Sequence, residues 1–396
     1  MSSGREAVIV SAVRTATGRF LGTLLPFSAT DLGAVVIREA VKRANVDPST
    51  LDEVIMGNVV MAGLGQAPAR QAAIKGGIPD TVSAVTINKI CGSGLQSVMY
   101  AAQAIRAGDG RAYVAGGMES MSNGPYLLPK VRTGLRMNNS EVVDAVVNDS
   151  LWCTFEKNHM GLSAEVIADL YELKREELDE YSLNSHRKAV SAIKDGKFKA
   201  EIVPIEIAQK KGPAVVFDTD EIPRADTSAE ALAKLPPAFK PGGKVTAGNA
   251  SPLSDGASAV VVVDSEYAKE NGLRPLARIT GYASAAIQPR LIFACPPYAI
   301  RKVLAKTGLS ISDFDLIEVN EAFASQIMAN GKELGWDWDK VNVHGGGLAL
   351  GHPIGSSGSR ILTTLIYALR DRGLKRGLAA LCLGGGGAVA MSVEAV

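Results

Sequence analysis

Two stretches far apart in the chain carry the same signals in the same order. The first runs from an amphipathic helix end at Arg38, Ala40 and Val41, past Asp47-Pro48-Ser49 and Asp52, into the apolar strand Val54-Ile55-Met56 and on to Asn58. The second runs from Arg301, Val303 and Leu304, past Ser310-Ile311-Ser312-Asp313, into Leu316-Ile317-Glu318-Val319 and on to Asn320. Arg38 to Asn58 spans 20 positions and Arg301 to Asn320 spans 19; Cys91 then follows Asn58 by 33, and His352 follows Asn320 by 32. Each is succeeded by a small-residue turn, a helix (Leu95 to Ala107; Arg360 to Arg370) and an apolar strand ending in glycines. Those strands are Ala112 to Ala115 before Gly116-Gly117, and Leu378 to Cys382 before Gly384. Agreement in order and spacing together favours a duplication over chance resemblance. Alternating strand and helix signals of this kind specify two α/β halves with helices packed on their sheets. Stacking the halves around a pseudo-twofold axis brings the matching turns together into one shared pocket.

Between the repeats the texture changes. From Ser120 to Lys244 the chain holds Pro125, Pro129, a mostly polar run from Lys130 to Asn139, the charged helical segment Leu173 to Asp195, and Pro236-Pro237. The expected division is a first half at residues 1–120 plus 246–270, an inserted loop domain at 121–245, and a second half at 271–396. A chain of 396 residues is long enough for several such cores. With 42 basic and 41 acidic side chains it has no long-range field to gather nucleic acid or a membrane surface. Its most apolar run, Ala259 to Val263, ends at Asp264 and reads as a buried strand, not a membrane span. The strand-like Ala7 to Val13 begins almost at once, leaving no room for a secretion signal, so a cytoplasmic protein is expected. The four cysteines form no C-x-x-C pair and have no histidine at zinc spacing, which argues against structural metal and disulfides.

Four places could carry chemistry. Cys91 follows the strand-like Val85 to Ile90 and opens a helix through Gly92-Ser93-Gly94, a setting that favours the thiolate at the positive helix end; a core cysteine beside a tight turn fits the local pattern equally well. Asn320-Glu321-Ala322-Phe323 sits at a strand-to-helix junction, where Asn320 is either a helix cap or an amide at the mouth of the shared pocket. His352, in Gly345-Gly346-Gly347-Leu348-Ala349-Leu350-Gly351-His352-Pro353, lies on irregular backbone and is the natural general base, against a structural histidine satisfying loop carbonyls. Cys382, followed by four glycines from Gly384 to Gly387, ends a buried strand beside freed amides and could move a proton; such a turn alone is a weak signal.

These four motifs, in this order within a duplicated frame, resemble the thiolase family over essentially the whole chain. Asn158-His159-Met160-Gly161 and Val245-Thr246-Ala247-Gly248-Asn249-Ala250-Ser251 look like its short-chain acetyl-CoA acetyltransferase branch. The resemblance implies duplicated βαβαβαββ halves layered αβαβα with the inserted loop domain. It implies condensation of two acetyl-CoA to acetoacetyl-CoA and CoA, reversibly, through an acyl-Cys91 intermediate. By the same resemblance His352 activates Cys91, Asn320 holds a water as oxyanion donor, Cys382 is the acid/base, and the N–H groups of Cys91 and Gly384 form a second oxyanion hole. Ser251 and His159 would contact pantetheine, Arg224 the nucleotide, and Leu151, Ala247 and Phe239 the tunnel, while Met160 and Phe323 bound the acyl pocket. No cofactor or metal is implied, the CoA thioesters being substrates. The run Lys130 to Asn139 resembles the family's tetramerisation loop, which implies a homotetramer.

The sequence departs from the short-chain pattern at Ile292-Phe293, where relatives often carry Met-Gly, so acyl-chain length stays open. A degradative 3-oxoacyl-CoA thiolase for longer chains is the near rival. A non-catalytic acyl-CoA or lipid-binding relative would have lost a catalytic group, and none is missing. A redox dithiol of Cys91 and Cys382 is the third alternative. Cys153 and Cys295 match no catalytic motif and read as structural.

Overall fold

The computed structural model describes residues 4–209 and 211–396. Its principal strands are β1 (Ala7–Thr15), β2 (Glu53–Gly57), β3 (Ser83–Ile87), β4 (Ala112–Ser120), β5 (Ser254–Asp264), β6 (Ala277–Ala286), β7 (Leu316–Val319), β8 (Arg376–Leu383) and β9 (Gly387–Ala395). They hydrogen-bond in the order β7-β8-β9-β6-β1-β5-β4-β2-β3. Outward from its centre the sheet therefore reads β1-β5-β4-β2-β3 one way and β6-β9-β8-β7 the other, the same topology twice. The place of β3 is taken in the second half by Val341, bridged in parallel to Ile317. The outer pairings β4-β2, β2-β3 and β8-β7 are parallel, the inner pairings β1-β5, β5-β4, β6-β9 and β9-β8 are antiparallel, and each half carries one β-bulge at the same point, after Ile9 and after Ile279.

The longer helices among the described residues are α1 (Ala29–Ala44), α2 (Pro68–Lys75), α3 (Ser93–Ala107), α4 (Met160–Leu170), α5 (Arg175–Lys194), α6 (Pro296–Thr307), α7 (Ala324–Leu334) and α8 (Ser357–Asp371). Period-two alternation decides which side each strand residue serves. Val8, Val10 and Val13 of β1 face the outer helices α1 and α2, while Ala7, Ile9 and Ala12 face inward onto α3 and α8. In the second half Val389, Met391 and Val393 face the same inner helices, and Ala388 and Ala390 face α6 and α7. The result is five layers, α-β-α-β-α, with α3 and α8 between the two halves of the sheet. Helix α1 starts where the sequence supplies a capping box, Ser28 and Asp31 each bonding the other's backbone N–H, and stops at Asn45 in the left-handed region.

Residues between β4 and β5 form the insertion, which contains α4 and α5. It is tied to the core where Ile202–Val203 adds a parallel pairing to Arg14 and Thr15. The buried Arg14 guanidinium holds Asp220 through two bonds of 2.7 and 2.9 Å and Glu201 through one of 2.6 Å. Among the described residues no helix is long and apolar enough to cross a membrane.

Three expectations are corrected. Strand β4 does not end at Ala115 but runs through Gly116-Gly117 to Ser120, because those glycines permit close approach rather than a turn. A side chain at Gly117 would overlap the Gly355 carbonyl oxygen. Helices α3 and α8 begin at Ser93 and Ser357, earlier than the apolar periodicity indicated. Third, the strand register pairs Met56 with Gly116 and Val319 with Ala380, so Gly57 rather than Asn58 is the counterpart of Asn320. Spacing along the chain misjudged this because residues outside the ladder need not keep step.

Candidate active site

The turn before α3 is strained. Ile90, a β-branched residue, has φ 49°, a conformation such side chains rarely adopt. It is fixed locally: Asn88 Oδ1 accepts the Ile90 N–H at 3.0 Å, and Ser93 Oγ accepts from Lys89 N–H at 2.8 Å while donating to the Ile90 carbonyl at 2.7 Å. The strain presents Cys91 at the start of α3, on the wall of a cavity of about 450 Å³. His352, Cys382 and Gly384 share that wall, so the two repeats contribute to one chamber.

The Cys91 sulfur lies against the backbone N–H groups of Gly384 and of Cys91 itself. The expected depression of its thiol pKa does not occur. Burial, the largest influence, pushes the thiol up to about 12, outweighing those two amides, and the Glu119 carboxylate adds to the rise. Cys382 is raised further above the ordinary thiol range, by burial first and then by the neighbouring Cys91 and Cys295 sulfurs. Both thiols are therefore protonated at rest, and a base must act on Cys91.

His352 is suited to that task. Burial, and secondarily the Arg360 charge, pull its imidazole down to about 3, so it is neutral at physiological pH. Its Nδ1 is 2.5 Å from Ser357 Oγ, and that hydroxyl spends its only hydrogen on the Pro353 carbonyl at 2.9 Å. Nδ1 must then be the protonated nitrogen, leaving Nε2 with a lone pair. Asn320 stands behind the ring, its Nδ2 at 3.3 and 3.4 Å from the two ring nitrogens. It is not a helix cap: α7 begins at Ala324 with Phe323 as its cap residue, and Asn320 is wholly buried. The next residue, Glu321, is buried and accepts from Tyr181, Ser185, Asn342 and the Leu348 N–H, which anchors the glycine-rich loop before His352.

Leu151, His159, Met160, Phe239, Ala247, Ser251 and Phe323 all line the same cavity. His159 accepts the Gly161 N–H at 3.1 Å as the cap of α4 and stacks on Phe239 with centroids 4.9 Å apart. The ring series continues edge-on from Phe239 to Phe323 and from Phe323 to Phe293, at 6.2 and 5.1 Å. Arg224 is not on the cavity wall; its side chain is 67% exposed and lies 3.5 Å from Asp226. Among the described residues no cluster of histidine, cysteine and carboxylate side chains could hold a metal ion.

Sequence reasoning missed Glu119. This carboxylate, wholly buried, accepts from Asn58 Nδ2 at 2.8 Å and from the N–H groups of Val59, Val60 and Gly355 at 3.1, 3.1 and 2.9 Å. It thereby fastens the loop that carries His352 to the first repeat. Its only sequence signal was an acidic residue at the end of an apolar strand.

Comparison with known proteins places these features. The family described as thiolase, N-terminal domain, matches residues 7–266, and that described as thiolase, C-terminal domain, matches residues 273–395. Acetyl-CoA acetyltransferase of Pseudomonas aeruginosa is 52% identical over 98% of this chain and 99% of its own length. The protein of the same name from Escherichia coli K12 is 53% identical over 98% and 99%. The crystal structure of the Bacillus anthracis acetyl-CoA acetyltransferase superposes with a TM-score of 0.98 at 46% identity and covers 100% of both chains.

Proposed function

Since this chain belongs to the thiolase family, we propose that it is an acetyl-CoA C-acetyltransferase, reversibly condensing two acetyl-CoA into acetoacetyl-CoA and CoA. The observation that carries the reading is the convergence of Cys91, Cys382, neutral His352 and Gly384 on one cavity assembled from both repeats.

The geometry supports two half-reactions. His352 Nε2 takes the Cys91 proton as the sulfur attacks the acetyl-CoA carbonyl. The tetrahedral oxyanion lies between the N–H groups of Cys91 and Gly384, CoA departs as its thiol with the proton His352 received, and Cys91 keeps the acetyl group. Acetylation also leaves Cys91 a thioester that can carry no charge against the ionisation of Cys382. Cys382 passes its thiol proton to His352 and, as the thiolate, takes an α-proton from the second acetyl-CoA, whose thioester oxygen is stabilised by His352 and a water on Asn320. The enolate carbon attacks the acetyl-Cys91 carbonyl, the Cys91–acyl bond breaks, and the departing Cys91 sulfur takes the proton held on His352 while Cys382 keeps the one it abstracted. Every proton moves between groups of the chain and its substrates, so no cofactor enters the scheme.

His159 and Ser251 would receive pantetheine, with Leu151, Ala247 and Phe239 along its path. Arg224, exposed beyond the cavity, would meet the nucleotide end. Ile292, Phe293, Met160 and Phe323 close the acyl end with bulk, which favours a two-carbon acyl group over the longer chains of a degradative thiolase. The homotetramer is proposed on the exposed apolar side chains of the 130–139 run and its flank: Leu128, Val131, Leu135 and Met137 are 56, 46, 53 and 86% exposed. Four free cysteines suit a reducing cytoplasm.

Intact mass after mixing with acetyl-CoA alone tests the reading. One acetyl group is expected on the wild type and none on Cys91→Ser. Cys382→Ala should acylate but not condense; a Cys382→Ala enzyme that makes acetoacetyl-CoA at the wild-type rate overturns the acid/base assignment.

A further inference from the structure

Arg360 sits on α8, three residues after the Ser357 that holds His352, and is 2% exposed. A guanidinium has donors and no acceptor. Its Nη2 donates to Asn320 Oδ1 at 3.4 Å. The Asn320 amide must therefore turn its oxygen to Arg360, and that choice leaves Nδ2 facing the His352 ring. Rotated by half a turn, the same amide would present a carbonyl oxygen where negative charge develops, converting a stabilising dipole into an opposing one. Within reach of its charge is Glu318, two residues before Asn320 on β7 and also buried. Both Glu318 carboxyl oxygens, and Arg360 Nε and Nη1, have no hydrogen-bond partner among the described residues. Each group nevertheless feels the other's charge. A buried guanidinium that spends so few hydrogen bonds is costly to keep, and the bond it does make goes to Asn320.

We propose that Arg360 is a positioning residue that sets the direction of the Asn320 amide, so that a buried cation behind the pocket fixes which end of Asn320 the oxyanion meets. The inference rests on the reading of Asn320 as an oxyanion donor in the second half-reaction.

A double-mutant cycle tests it, with Cys91 acetylation and acetoacetyl-CoA formation measured separately. Acetylation of the wild type by acetyl-CoA comes first, and its failure would fall on the proposed function, not on Arg360. Arg360→Met should slow condensation by about 100-fold, the size of effect expected when one oxyanion donor is lost, with a much smaller effect on acetylation. Arg360→Lys, which still donates, should recover most of that loss. In an Asn320→Ala background Arg360→Met should add little further loss, because the amide it orients is gone. Arg360→Met/Glu318→Gln, which removes both buried ionisable groups, gives the same reading should the single variant not fold. A full-rate condensation by Arg360→Met, or by Arg360→Met/Glu318→Gln, overturns the proposal, as does an undiminished Arg360→Met loss in the Asn320→Ala background.

Discussion

The Ser357 hydroxyl stands 2.5 Å from His352 Nδ1 and passes its own hydrogen to the Pro353 carbonyl, so one serine dictates which imidazole nitrogen is free to act as base. Ser357→Ala removes that instruction. Acetylation of Cys91 should slow by about tenfold, within the range general-base positioning contributes, while the thermal midpoint barely moves. Rapid-quench acetylation followed by mass spectrometry checks this, and an unchanged rate would mean that the loop alone fixes the tautomer.

Because burial holds the Cys91 thiol near 12, its spontaneous reactivity should look nothing like that of a low-pKa catalytic thiol. Alkylation of Cys91 by iodoacetamide is expected to climb steadily through pH 9.5 without the plateau near neutrality that a preformed thiolate produces. Peptide mapping of the alkylated site gives the profile directly.

Glu318 supplies a pH dependence of stability. Burial raises its carboxyl to about 8 in the folded chain. Between the ordinary carboxylate range and that value the folded state keeps a proton that the unfolded state has released, so this group's contribution falls as pH rises through the window. Glu318→Gln should leave stability near pH 5 almost unchanged and raise it at pH 8.5, measured by urea unfolding. A variant less stable at pH 8.5 would show that the carboxylate is needed ionised.

The Arg14 fork joins the insertion to β1 through Asp220 and Glu201, all three side chains buried. Arg14→Ala leaves two carboxylates in the interior without their cation, at a cost of about 3–5 kcal/mol. The insertion should loosen first, seen as faster amide exchange around Ile202–Val203. Replacing both carboxylates with amides in the same variant should restore much of the loss.

Phe293 backs Phe323 at the acyl end. Phe293→Ala should cost about 3–5 kcal/mol in stability and shift cleavage toward longer 3-oxoacyl-CoA substrates, read from a chain-length series. A profile that stays on four carbons would move the length limit to Met160 or Ile292.

Much of this molecule was readable along the chain. The repeat betrayed the doubled topology because strand and helix signals survive duplication, and Cys91, His352 and Cys382 stood out because each interrupts a periodic pattern with a reactive group beside glycine. What the sequence concealed was electrostatic. Helix position suggested an acidified Cys91, but the balance between two amides and desolvation is visible only when the walls of the cavity are in place. Glu119, Arg360 and Ser357 sit at ordinary strand and helix positions, and their meaning comes from partners in the opposite repeat or across a loop. Register misled for a related reason: the count from Asn58 to Cys91 includes loop residues that no ladder disciplines.

The middle layer has a consequence for how such a chain could have arisen. Helices α3 and α8 each pack one face on their own half of the sheet and bury another against the opposite half, so a single ancestral unit would have had an oily flank and an incomplete set of reacting groups. It could have worked only as a pair of identical units. Fusion of the two genes then let each copy drift toward a different duty, thiol in one, imidazole and second thiol in the other, without losing the shelter they give one another.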